Sequence, residues 1–151
     1  IIAINLTTPF KMIKETLPIM RKNKWGRIIN ISSVHGSVAS QFKSGYVSSK
    51  HGLVGLTKVI ALETAKENIT CNAIGPGFVD TELVKKQIRN LSKKRGLSFK
   101  KISNNLLKEK HPSMNFIKKD DVSSLAYYLT TNQASQITGS NLIIEGGWTA
   151  Q

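Results

Sequence analysis

Three short runs constrain this chain more than any other feature: RIINIS (27–32), ITCNAI (69–74) and NLIIE (141–145). Each is apolar along most of its length, and each carries β-branched residues. Strands apolar on both faces are buried on both faces, and such strands belong to parallel sheets covered by helices. The intervening segments supply the covers. Residues 1–23 are helical in pattern, with Thr8-Pro9 and Pro18 predicting a bend or an interruption. From Tyr46 to Asn68 the residues Val47, Leu53, Val54, Leu56, Val59, Ile60 and Leu62 recur with helical period. Asp120 or Asp121 can cap a helix that carries Val122, Leu125, Ala126 and Leu129. Helices alternating with strands predict an α/β fold built on a parallel sheet.

In such sheets ligands sit beyond the carboxyl ends of the strands. Ser33, the turn GPGFV (75–79) and Gly146-Gly147-Trp148 all fall at those ends. So does SGYVSSK (44–50), at the start of a helix. Its spacing of four puts Tyr46 and Lys50 on one helical face, one turn apart. An ammonium at that distance favours a phenolate, which is what a tyrosine general base requires. A serine hydroxyl and a phenol beside one carbonyl oxygen suit alcohol–carbonyl interconversion. The hydride acceptor must then be a cofactor, since no side chain takes hydride.

A chain of 151 residues is long enough for one domain with a real core. Its net charge of +13 raises nucleic-acid binding as a class. The excess is densest from Lys85 to Lys119, where Phe99 and Phe116 are the only aromatics and no nucleic-acid-binding signature is present. Specific nucleic-acid binding is therefore not expected. No apolar run approaches the ~20 residues that span a bilayer, so no membrane partner is expected. The single cysteine, Cys71, fits a reducing, cytoplasmic compartment and reads as a small buried strand residue. Three histidines without ligand spacing predict no metal site. His51 reads as a surface or interface residue, His111 as the end of a helix, and Asn72 as a local hydrogen-bonding residue.

Asn5, Ser33, Tyr46-x-x-x-Lys50 and Pro76-Gly77, in that order and on elements of matching type, resemble the short-chain dehydrogenase/reductase family. The resemblance covers the whole chain. It implies the C-terminal half of a doubly wound, Rossmann-like parallel sheet: a single partial domain over 1–151, with a lid at about 81–117. It implies that Ser33 hydrogen-bonds the substrate oxygen and that Tyr46 is the acid/base. Lys50 would activate Tyr46 and hold the nicotinamide ribose, and Asn5 would position a water in a proton relay. Pro76, Gly77, Val79 and Thr81 would line the cofactor, with Tyr46 and Lys50. Asp80 and Thr81 can also cap the first lid helix.

Within that family, SSVHGSVASQFKSGYVSSKHGLVGLTK and the ending ITGSNLIIEGGWTAQ are similar to bacterial D-3-hydroxybutyrate dehydrogenases. That similarity implies NAD as cofactor and a small carboxylate as substrate. His35, Lys43 and Gln87 would hold the carboxylate, and Trp148 would close the apolar side. Another short-chain reductase, such as a 3-oxoacyl reductase, is the alternative enzyme. Two departures are visible. The lid turn of that group usually reads Gly-Trp where this chain has Gly77-Phe78. The Gly-rich phosphate loop with its flanking strands and helices, roughly 100 residues, has no counterpart here. Without that half the resemblance implies an inactive piece, or a remnant, with an exposed sheet edge. Joined to it, the family pattern implies a homotetramer.

Overall fold

The computed structural model describes residues 1–150. The chain enters through a π-helical turn, Ala3–Thr7, in which the Thr8 N–H reaches back to the Ala3 carbonyl. This turn runs straight into α1 (Thr8–Lys22). Pro9 lies in the first turn of α1, where its missing N–H costs nothing. Pro18 lies inside the helix, which nevertheless continues to Lys22. The expected interruption is thus limited to the change of helical type at Thr8.

β1 (Gly26–Ile31) follows, then α2 (Ser44–Glu63), β2 (Ile69–Pro76) and, near the end, β3 (Asn141–Ile144). The sheet is parallel with order β1-β2-β3. Its register runs from Gly26 opposite Ile69 to Ile31 opposite Ile74, and from Ala73 opposite Asn141 to Pro76 opposite Ile144. β2 is central, and all eight of its residues are buried. On one face Ile13 and Leu17 of α1 and Ile60 and Ala61 of α2 pack on Ile28, Ile69 and Cys71. On the other, Leu129 of α5 (Lys119–Thr130) and Ala134 pack on Ile74, with Val122, Leu125, Leu142 and Ile144 around them. Ile28 and Ile29 point into opposite clusters, the period of two that a strand imposes. Each fully buried Ile or Leu contributes about 1.5–3 kcal/mol. Cys71 is fully buried, and burial pushes its thiol up to about 12. Asn72 is spent locally, donating to the Ile137 carbonyl and accepting the Ser140 N–H.

The bounds of α2 and the cap of α5 differ from the sequence reading. α2 begins two residues earlier and stops at Glu63 rather than running to Asn68. Thr64 closes it, its hydroxyl shared between the Ile60 and Ile69 carbonyls, and a turn delivers the chain to β2. The basic, helix-prone stretch after β2 breaks at Gly96, as the sequence predicts: it forms α3 (Glu82–Arg95) and α4 (Phe99–Lys110), parted at Gly96 with φ +62°. Thr81 caps α3 through its hydroxyl, whereas Asp80 instead pairs with Lys85 at 2.9 Å. Neither Asp120 nor Asp121 is the N-cap of α5; Asp121 lies inside the first turn and accepts the Lys118 N–H at 2.9 Å.

Among the described residues no strand pairs with the outer edge of β1. A groove of about 370 Å³ runs along it, lined by Ile4, Asn5, Met12, Ile29, Ile31 and Lys50. Among the described residues no helix is long and apolar enough to cross a membrane.

Candidate active site

β1 ends at Ile31, and the extended backbone at Ser33 leads into a short 3-10 turn, Val34–Gly36. The Ser33 Oγ accepts the His35 N–H at 3.2 Å, which caps that turn. One lone pair is used in this way, and the hydroxyl proton is left to donate elsewhere. Tyr46 stands in the first turn of α2 and Lys50 one turn further on. The Lys50 ammonium lies 5.7 Å from the centroid of the Tyr46 ring and donates to the Ile31 carbonyl at 2.8 Å. Its near-complete burial lowers its pKa from the usual lysine value. Asn5, in the π turn, donates to the Ser49 hydroxyl at 3.3 Å, and Ser49 donates to the Tyr46 carbonyl at 2.7 Å. Asn5 and Lys50 therefore back onto the groove along β1, while Tyr46 faces a second space.

That space is a cleft of about 350 Å³. Ser33, His35, Lys43 and Tyr46 line one side, with Gly77, Phe78, Gln87 and Trp148 on the other. All four residues assigned to substrate by resemblance meet there, together with Ser33 and Tyr46. His35 packs edge-on against Tyr46 and Trp148, at 5.8 and 5.4 Å between ring centroids. Its Nε2 lies 2.9 Å from the Ser40 hydroxyl. Burial, then the charges of Lys43, Lys110 and His51, push the imidazole down to about 4, so it is neutral at pH 7. Lys43 is also lowered, by burial and by Lys110.

Pro76, Gly77, Val79 and Thr81 lie along the turn that leaves β2. Gly77 donates to the Ile144 carbonyl at 2.8 Å, Val79 bridges to Ile117, and Thr81 caps α3. Of these, Gly77 lines the cleft.

Two residues at the end of α4 escaped the sequence reading. His111 does end that helix, as expected, but it is also fully buried beneath the turn. Its Nε2 accepts the Phe78 N–H at 3.0 Å, which places the proton on Nδ1, 3.0 Å from the Asn115 carbonyl. Its ring stacks on Phe78 at 5.3 Å and 20°. Phe78 in turn stacks on Trp148 at 5.6 Å, so Phe78 keeps an aromatic wall. Lys110 places its ammonium 5.3 Å from the Trp148 ring centroid. No sequence signal marks either residue, because their partners lie far away in the chain. His51, by contrast, is exposed and bonds within its own helix, as read.

A family model described as enoyl-(acyl carrier protein) reductase matches residues 1–149. The chain belongs to the short-chain dehydrogenase/reductase family. D-beta-hydroxybutyrate dehydrogenase of Rhizobium meliloti is 49% identical over 151 residues, covering all of this chain and 58% of that protein. The protein of the same name from Cupriavidus necator is 48% identical, with the same two shares. Among solved structures, a 4-hydroxyisoleucine dehydrogenase mutant complexed with NADH and succinate matches with a TM-score of 0.88 and 37% identity, over 100% of this chain and 58% of that one. This short-chain dehydrogenase/reductase thus spans somewhat more than half the length of the relatives it matches.

Proposed function

We propose that these residues are the catalytic part of an NAD-dependent oxidoreductase that interconverts D-3-hydroxybutyrate and acetoacetate. One observation carries the reading: two hydroxyls suited to a carbonyl oxygen share a cleft with three donors suited to a carboxylate. The relatives at 49% and 48% identity, both named D-beta-hydroxybutyrate dehydrogenase, support the same substrate.

In this proposal Ser33 donates its free hydroxyl proton to the substrate oxygen, and Tyr46 exchanges a proton with that oxygen. Lys50, buried and held by the Ile31 carbonyl, stabilises the phenolate that proton loss leaves behind. The Asn5–Ser49–Tyr46 contacts fix the first turn of α2. A water relayed at Asn5 would return the proton to solvent. Lys43 supplies charge to the carboxylate, neutral His35 and Gln87 supply hydrogen bonds, and Trp148 and Phe78 cover the apolar end.

The residues fit a nicotinamide cofactor. The Lys50 ammonium has three N–H donors, and one meets the Ile31 carbonyl. It opens onto the groove beside the cleft, where ribose hydroxyls would find it. Tyr46, Lys50 and the Pro76, Gly77, Val79 and Thr81 turn would hold the nicotinamide end. When bound, that cofactor supplies the hydride acceptor. Helices α3 and α4 form the lid. A homotetramer in the cytoplasm belongs to the same proposal, and exposed Phe10, Ile19, Val59 and Leu62 on α1 and α2 offer it an apolar interface.

The test is 3-hydroxybutyrate-dependent NADH formation by a chain that also carries the phosphate-loop half of the fold. Lys43→Ala should raise KM for the small acid about ten-fold or more and leave cofactor binding unchanged. An unchanged KM removes the carboxylate assignment and leaves a 3-oxoacyl reductase as the better reading.

A further inference from the structure

We propose that Lys110 is a second cation of the carboxylate subsite, carried to the cleft by α4 and acting with Lys43 on a single carboxylate. The proposal deepens the reading of the cleft given above and rests on it. Lys110 occupies the last position of α4, immediately before His111. His111 is anchored on three sides: its N–H donates to the Leu107 carbonyl, and its ring bonds the Phe78 N–H and the Asn115 carbonyl. That anchor fixes where the Lys110 side chain begins. Its ammonium then lies 5.3 Å from the Trp148 ring centroid, and Trp148 lines the cleft edge-on to His35.

The electrostatics are one-sided. The charge of Lys110 reaches both Lys43 and His35, and opposes protonation of each. Among the described residues no Asp or Glu lines the cleft. The acidic partner of Lys110 is its neighbour Glu109, at 3.0 Å, whose side chain is 65% exposed. Such an exposed pair holds little energy and readily gives way. Lys43 lines this cleft and Lys110 lies over its Trp148 wall; the two cations repel each other until an anion enters, and a carboxylate then reverses the sign of the interaction. The ammonium over Trp148 also has a purely structural reading, a cation–π contact worth about 0.5–1 kcal/mol at exposed sites. The experiment separates the two.

Acetoacetate, ionised at neutral pH, and its uncharged amide are titrated into the protein while the emission of Trp148 is followed. A Trp25→Phe background leaves Trp148 as the sole tryptophan. Lys110→Met keeps the packing stem and removes the charge, and Lys110→Arg keeps the charge. The expected result is acetoacetate binding about ten-fold weaker in Lys110→Met. Amide binding stays unchanged, and Lys110→Arg restores affinity for the acid. Equal acetoacetate affinity in wild type and Lys110→Met overturns the proposal. So does an equal loss for both ligands, or a wild type that binds no acetoacetate. If acetoacetate affinity follows the charge while a chain that also carries the phosphate-loop half does not oxidise 3-hydroxybutyrate, the assigned reaction fails and the second cation stands. If oxidation is intact and the affinity ignores the charge, the reverse holds.

Discussion

Replacing His111 by alanine and by glutamine tests how far the wall of the cleft rests on one buried ring. The ring is fully buried and holds the Phe78 N–H and the Asn115 carbonyl, each at 3.0 Å. Alanine strands a donor and an acceptor, each costing about 1–3 kcal/mol when buried and unpaired. It also leaves a void where the ring stacked on Phe78. The two stranded groups alone come to about 2–6 kcal/mol, and the void adds to that. Glutamine offers an amide oxygen for the Phe78 N–H and an amide N–H for the Asn115 carbonyl, so its cost stays below about 1 kcal/mol. For a chain of this size those losses lower Tm by roughly 10 °C for alanine and by less than about 4 °C for glutamine. Calorimetry on the two variants reads both.

The pH arm has a definite sign. Burial lowers the His111 pKa from 6.5, against smaller opposing effects of the Asn115 carbonyl and Glu145. Below pH 6.5 the unfolded chain takes up a proton that the folded chain resists. Stability is therefore full above that pH and falls as pH drops toward the folded-state value. His111→Gln should flatten that part of the profile. Alanine and glutamine variants that melt together, or a glutamine variant with the wild-type pH slope, would refute the reasoning.

His35, held at about 4 in the fold, should lose a proton in an NMR titration near that value, and a midpoint above 6 counts against the packing described. The shift from 6.5 to about 4 corresponds to roughly 3 kcal/mol of stability, present above pH 6.5 and lost between those two values as pH falls. Gly77→Ala should destabilise by about 1–3 kcal/mol, because the new Cβ would stand 2.5 Å from the His111 Nε2. Combined with His111→Ala it should cost less than the sum of the two changes, and strict additivity would break the proposed contact. The 151 residues expressed alone should self-associate through the bare β1 edge and exposed Ile4, Met12 and Ile31. A monomer in sedimentation with a sharp thermal transition is the contrary result.

Local pattern told most of this fold. The runs 27–32, 69–74 and 141–145 fall within a few residues of β1, β2 and β3, because continuous apolar strands have few alternatives. The end of α2 was not legible, since Thr64 closes it with a bond to Ile69 that exists once β2 has docked. Tyr46 and Lys50 were legible as a pair because one helix carries both. That His35, Lys43, Gln87 and Trp148 meet was legible only by likeness, since the β1–α2 connection, α3 and the segment after β3 supply them. His111 and Lys110 had no such guide. Lysine is abundant here, and a histidine before a proline reads as a helix end whether or not Phe78 lies beneath it.

The all-buried β2 has a consequence for when this protein can fold. Its second neighbour, β3, follows only after α3, α4 and α5, and the cluster around Ile74 and Leu129 draws Leu142 and Ile144 from that strand. A ribosome therefore releases β1, α2 and β2 long before it releases what covers the other side of β2. In that interval one apolar face of the nascent sheet stays open, which makes it the period when a chaperone is needed most.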